Sequence, residues 1–552
     1  MEKRALIAFV LSLAVLVFWE MYFGIVQTPP TKTTQEQQQA TTPAPEPSPS
    51  EPPLKSLLPE SLPKDRLATT GQTFDRWLVD TSLYEMQVAS PGARLDAFQL
   101  NQYRQQVDAD SPAMDMVRTK TSGYLPMAVD LLDHSDWELA TRPFVSDAPK
   151  TSRISPDDLS KQISFFTTVP DKVKLTKSFD VSPGTYVVDA TIEIENLSDD
   201  KLSDQLGISF YFQPYEAGET SYNISQISLL KNGALEYFQT KDILKQNPVF
   251  EPPVSWIGYE NNYFIQAIIP LETAGYRLVP RVLDENKHLL QLVYLTDPFE
   301  LAKGERKTFK IRLYLGPKEI ETLQQAGHDL TRAVDFGWFT FLAKPLLLVL
   351  RWFYKYTHNY GVAIILLTVI IKIIFWPLTH KSYKSMQVMK KIQPKIAQVR
   401  EKYKDDREKL NQELMMLYRT YKVNPLGGCL PMVLQIPVFF ALYRMLYGAL
   451  ELRHKPFMLW INDLTAPDRL HIGIDLPYLG GIPVLTLLMG ASMFIQQKMT
   501  PTGGDPRQEK IMLLMPVIFT VFFINFPSGL VLYWLVNNIL SIVQQYWINR
   551  QA

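Results

Sequence analysis

The chain has 552 residues, enough for one to four domains, and its 56 Lys+Arg balance 56 Asp+Glu, so overall charge singles out no partner. Its one cysteine, Cys429, excludes an intramolecular disulfide, and its seven histidines show no metal-ligand spacing. No Walker-type glycine loop and no Gly-x-Ser-x-Gly elbow is present, so nucleotide hydrolysis and serine-esterase chemistry have no support, and no cofactor or metal is expected.

Met1-Glu-Lys-Arg4 precedes an apolar run from Ala5 to Phe18 that continues through Met21-Tyr-Phe23. The bulky Trp19-Glu-Met-Tyr-Phe23 lacks a small-x-small cleavage site, so residues 1–23 read as an uncleaved membrane anchor with its basic end in the cytoplasm. Residues 24–63 are rich in Pro, Gln, Ser and Thr and bury too little apolar surface to fold, which makes them a disordered linker.

From about Gln72 the hydrophobic period becomes two. Tyr84, Met86 and Val88 alternate with polar residues, as do Val188, Ala190, Ile192 and Ile194, and Phe309, Ile311, Leu313 and Leu315. Ser182-Pro-Gly184 and Lys231-Asn-Gly233 read as turns between strands. Residues 64–335 are therefore expected to form a large β-sandwich on the far side of the membrane from the cytoplasm. Its His134 and His288, with His328 just beyond, form no recognisable acid–base motif.

Residues 336–358 are aromatic and apolar but carry Lys344, Pro345 and Arg351, the pattern of an amphipathic helix lying in the membrane interface. Spans follow at 361–378, 427–446, 481–495, 511–525 and 530–547, the last two split by Phe526-Pro-Ser-Gly529. With the anchor this makes six spans with both termini in the cytoplasm. The segment 379–425 has twelve Lys and Arg from Lys381 to Lys422 against five acidic residues, which places it inside. Met389, Ile392, Ile396, Val399 and Tyr403, then Leu410, Leu414, Leu417 and Tyr421, give it two apolar seams. It reads as a helical hairpin with a capping box at Asp405 and Glu408 and a loosened turn at Pro394, its basic outer faces either solvated or turned to RNA, anionic lipid or a targeting factor.

Lys372 lies in the middle of the second span, where a charge costs roughly 2.5–3.5 kcal/mol. Thr368 shares its helix face one turn earlier, and Gln435, Asn525, Asn537 and Asn538 are mid-span amides, with Tyr533 and Trp534 beside them. These suggest a shared hydrated cavity, and no mid-span carboxylate pairs with Lys372. Cys429 reads as a small hydrophobe.

Lys422-Val-Asn-Pro-Leu-Gly-Gly-Cys-Leu-Pro431 with Gln435-Ile-Pro437 resembles the third-span signature of YidC-type membrane insertases. Asn525-Phe-Pro-Ser-Gly-Leu-Val-Leu-Tyr-Trp534 is similar to the turn before their last span, and Glu451-Leu-Arg453 with Pro456 to Leu464 is similar to their second outer loop. The resemblance covers about residues 338–550, and the preceding sandwich fits the Gram-negative form of the family. It implies a polytopic α-helical membrane protein of the bacterial inner membrane with six spans, a five-helix insertase core, a large periplasmic β-sandwich and a cytoplasmic hairpin. It implies a chaperone and insertase, not an enzyme, working alone or with the Sec translocon through a hydrophilic groove open to cytoplasm and lipid. Implied partners are nascent membrane proteins, the Sec translocon, the phospholipid bilayer, and ribosome and signal-recognition machinery at the basic hairpin. Lys372 stands where the family carries a positive residue, usually arginine, and so keeps the charge without the guanidinium fork. Thr368, Gln435, Tyr533, Trp534 and Asn537 complete the expected groove. Two other classes compete: a membrane-anchored sugar-binding or sugar-active protein, through the fold of its sandwich, and a small-solute transporter, which the lack of internal repeats disfavours.

Overall fold

A computed structural model describes residues 66–67, 74–108, 110–215, 223–404, 406–421, 430–473, 480–499 and 506–551. The expected anchor, the linker and Cys429 lie outside these residues.

The segments of period two become strands. Tyr84–Ala89, Val187–Asn196 and Arg306–Pro317 each turn their alternate apolar residues inward. The largest sheet is antiparallel and eight-stranded. Its order is Ala234–Phe238, Gln226–Lys231, Val254–Glu260, Phe264–Pro270, Arg306–Pro317, Val187–Asn196, Val173–Val181 and Lys161–Val169. A five-stranded and a four-stranded sheet share its apolar core. The Lys231-Asn-Gly233 turn joins the two strands at one edge, with Asn232 and Gly233 at φ of 50° and 74°, the left-handed pair that a tight hairpin requires.

Nine α-helices are described. α1 (Thr240–Gln246) and α2 (Ile320–Ala326) are short, and α3 (Thr340–Thr357) runs through Pro345, the sixth residue, whose ring removes the helical N–H that would bond the Phe341 carbonyl. α4 (Tyr360–Lys402) is a single 43-residue helix, so the expected second span and the first arm of the hairpin are one element. It continues through Pro377 and Pro394; near the former, the Thr379 hydroxyl donates to the carbonyls of Phe375 and Trp376. α5 (Arg407–Thr420) packs back on it, with Leu414, Leu417 and Tyr418 against Ile392 and Ile396. Its N-cap is Asp406, which accepts from the Lys409 N–H, rather than the expected Asp405. α6 (Leu430–Gly448), α7 (Val484–Met499), α8 (Pro506–Phe523) and α9 (Ser528–Gln551) complete the chain. Among the described residues α4 is the one helix long and apolar enough to cross a membrane by length and composition.

A single buried cluster runs from the sheets into the helices, through Phe264, Leu323, Phe336, Leu347, Ile364, Leu446 and Leu530. Polar contacts pin the same junction. Arg453, in the loop after α6, donates to the carbonyls of Arg104 and Gln105 in the β-rich part at 2.8 and 3.2 Å, and its guanidinium lies 5.2 Å from the Phe264 ring centre. Arg351 on α3 bonds Glu321 on α2 at 2.6 Å and faces Glu451 in the loop after α6 at 3.9 Å. Burial pushes the Glu451 and Glu319 carboxyls up. This loop is itself ordered by Asp468, which accepts from the indole N–H of Trp460 and from the N–H groups of Leu485 and Thr486 at the start of α7. Phe457 of this loop closes over Gly361 at the start of α4, where an added Cβ would lie 2.0 Å from the ring.

Candidate functional site

Three helices meet around Lys372. Its neighbours Ile373 and Ile374 are exposed on the outer surface of α4, whereas Lys372 turns inward. Its ammonium donates to the Ser541 hydroxyl of α9 at 2.7 Å, a contact between residues 169 apart in sequence. Ser541 donates in turn to the Asn537 carbonyl one turn back, at 2.7 Å. The Asn537 side-chain oxygen accepts from the Gln435 amide of α6 at 2.9 Å, and the same amide reaches the Tyr533 hydroxyl at 3.4 Å. A chain of hydrogen bonds therefore ties α4, α9 and α6 together. Residues 533, 537 and 541 repeat every four positions, which puts them on one face of α9.

Among the described residues no carboxylate lies within ion-pair distance of Lys372. An ammonium has three N–H groups, and Ser541 takes one. The arrangement offers an ammonium with remaining donor capacity at the end of a chain of polar side chains between helices, chemistry suited to attracting and holding a carboxylate. Three or more His, Cys, Asp or Glu side chains placed to hold a metal ion do not occur among the described residues.

The structure brings Lys372, Gln435, Tyr533 and Asn537 into this network. Thr368 is buried and returns its hydroxyl to the Ile364 carbonyl of its own helix at 2.7 Å. Trp534 stands in an aromatic cluster with Phe439 of α6 and Phe519 and Phe523 of α8, the nearest centroid 4.7 Å away. Asn538 turns to Ser492 of α7 at 3.0 Å, and Asn525 accepts from Arg469 at the turn between α8 and α9. Ser541 escapes sequence reasoning because a serine inside an apolar run is compatible with any helix. The one available signal is its four-residue spacing from Asn537. Gln544, which donates to Thr379 of α4 at 2.8 Å, extends the polar contacts between α4 and α9.

Residues 76–349 match the family described as YidC periplasmic domain, and residues 352–552 match the family described as 60Kd inner membrane protein. The membrane protein insertase YidC of Syntrophobacter fumaroxidans is 62% identical over 558 residues, covering 100% of both chains. That of Syntrophus aciditrophicus is 41% identical over 579 residues, again covering 100% of both. Among solved structures, the crystal structure of an active YidC insertase with its first transmembrane domain resolved covers 87% of this chain and 95% of its own, at 18% identity and a TM-score of 0.37. A galactose mutarotase-like protein from Lactobacillus casei covers 44% of this chain and 99% of its own, at 9% identity and a TM-score of 0.32.

Proposed function

The chain belongs to the YidC family of membrane protein insertases, and we propose that it inserts, folds and helps assemble inner-membrane proteins through a groove centred on Lys372. The observation that carries this reading is an ammonium in an apolar helix, held by one hydroxyl and with no carboxylate partner among the described residues. A nascent membrane protein reaches the groove from the cytoplasm. Its short polar tail, often acidic, enters and is held at Lys372, with Gln435, Tyr533 and Asn537 lining the path and Thr368 and Trp534 shaping its walls. Polar surroundings lower the desolvation cost of bringing that tail part-way across. Partitioning of about 20 apolar residues into lipid supplies the driving force. The membrane potential adds about 2.3 kcal/mol per charge per 100 mV for an acidic tail moving outward. No bond is broken and no nucleotide is consumed.

The same reading has six spans, with the first at residues 1–23 joined by a linker at 24–63, and both termini in the cytoplasm. The β-rich part at 64–335 stands in the periplasm, and α3 lies in the outer interface, its exposed Trp352 and Tyr356 at the headgroups. The second span occupies 359–378, the basic hairpin at 379–425 meets the ribosome and signal-recognition machinery, and 426–552 supplies the remaining core spans. The Sec translocon is a partner in assembly.

The test is insertion of a small protein with an acidic N-terminal tail in cells depleted of their own insertase. Lys372→Arg is expected to support insertion, and Lys372→Ala and Lys372→Glu to fail at equal expression. Normal insertion by all three would refute a role for the charge.

A further inference from the structure

We propose that Ser541 is the residue that positions Lys372: it fixes the ammonium against α9 and keeps it inside the groove. The inference rests on the groove reading above but is carried by separate geometry. Ser541 is buried, and its one O–H is spent on the Asn537 carbonyl at 2.7 Å. What remains are lone pairs, so toward Lys372 it acts as an acceptor, and the ammonium sits 2.7 Å away. A hydroxyl committed in this way does not donate to an incoming carboxylate. It holds the cation and leaves the anion to the cation.

The lysine stem makes such a holder necessary. Four flexible methylenes allow an ammonium to snorkel toward water. A planar guanidinium in this position would have five donors with which to find partners on several helices, whereas the ammonium is a compact point charge on a flexible chain. In this chain the function of fixing the charge falls to a partner on the facing helix. Asn537 makes that partner rigid, because its carbonyl takes the Ser541 proton and its side chain takes the Gln435 amide at 2.9 Å. The resting place of the charge is thus defined from α6 through α9 to α4. A substrate carboxylate meets an ammonium already aimed, with two N–H groups beyond the one given to Ser541.

The experiment uses the full-length protein in inverted inner-membrane vesicles, comparing wild type with Ser541→Ala and Ser541→Thr. One readout is acylation of Lys372 by a water-soluble amine reagent added on the cytoplasmic side, quantified by mass spectrometry. The other is insertion of two otherwise identical single-span proteins, one with an acidic and one with a neutral N-terminal tail. Ser541→Ala is expected to raise labelling of Lys372 about tenfold and to lower acidic-tail insertion about tenfold relative to neutral-tail insertion, the factor carried by ~1.4 kcal/mol. Ser541→Thr keeps the hydroxyl and is expected to restore both. Unchanged labelling in Ser541→Ala, or a threonine variant that behaves as the alanine, overturns the positioning role. If Lys372→Met inserts acidic tails normally, the groove reading fails instead, and the labelling comparison still decides where Ser541 holds the amine.

Discussion

Lys177→Met, in the β-rich part, tests how a fully buried amine is accommodated. Lys177 points inward from strand Val173–Val181 and is 1% exposed. Its amine donates to the carbonyls of Gly92 at 2.6 Å and Met127 at 2.5 Å, two loop residues at φ of 70° and 68°. Methionine fills nearly the same volume but leaves both carbonyls without that donor, at about 1–3 kcal/mol each. Relief of the buried amine offsets part of this, so we expect a net loss of about 2–4 kcal/mol at neutral pH. The pH dependence gives the sharper sign. Burial, reinforced by the nearby Arg94 charge, holds the Lys177 amine well below its ordinary 10.5, with Asp130 opposing. The unfolded chain therefore binds the extra proton across the window between the folded value and 10.5. Stability from this group is complete above 10.5 and is lost as pH falls toward the folded value. The gap between wild type and Lys177→Met should widen as pH rises through that window, by at most about 1.4 kcal/mol per pH unit. Urea titrations of the detergent-solubilised chain at several pH values between 7 and 10, read by near-ultraviolet circular dichroism, measure it. A gap that stays constant or narrows with rising pH would show that the amine is held charged, and would refute the argument.

Four further outcomes follow from the same geometry. Gly361→Leu forces Phe457 off the start of α4 and should cost about 1–3 kcal/mol by overpacking, seen as a lower melting temperature in detergent. Gly490→Val, on the face of α7 where a Cβ would lie 2.0 Å from the Thr520 hydroxyl of α8, should separate these helices and lower the yield of cysteine cross-links placed across them. Asp468→Ala removes the acceptor at the start of α7 and the partner of Trp460; a loss of about 2 kcal/mol or less is expected for the cap alone, with faster proteolysis of the loop after α6. Arg453→Lys keeps the charge but not the fork that grips two carbonyls, and should increase hydrogen exchange around Arg104 and Gln105; unchanged exchange would show that the apolar junction alone holds them.

The strands were legible because a half-buried sheet imposes an alternation that few other structures share, as in Val187–Asn196 and Arg306–Pro317. The Asn232-Gly233 hairpin was legible for a local reason, the left-handed backbone it requires. The continuity of α4 was not, because proline biases its immediate neighbours while the helix on both sides decides the outcome. At the site, Lys372 announces itself by the cost of its charge, and amides at 435 and 537 by theirs. Ser541 and the grip of Arg453 on Arg104 join residues far apart in the chain, and no spacing rule encodes such pairs. Thr368 shares the helix side of Lys372 by arithmetic, yet its hydroxyl is satisfied within its own turn.

The junction between sheets and helices also sets a direction. Because Arg453 holds the β-rich part by its backbone and the Phe264 ring lies against the same guanidinium, that part stands on the helices as a mast on a deck and cannot swing as a weight on a cord would. The β-rich part is then held at a fixed bearing to the ends of α4 and α7 where these helices begin. A torque applied to the mast passes into the loop after α6, which meets the start of α4 through Phe457 and the start of α7 through Asp468.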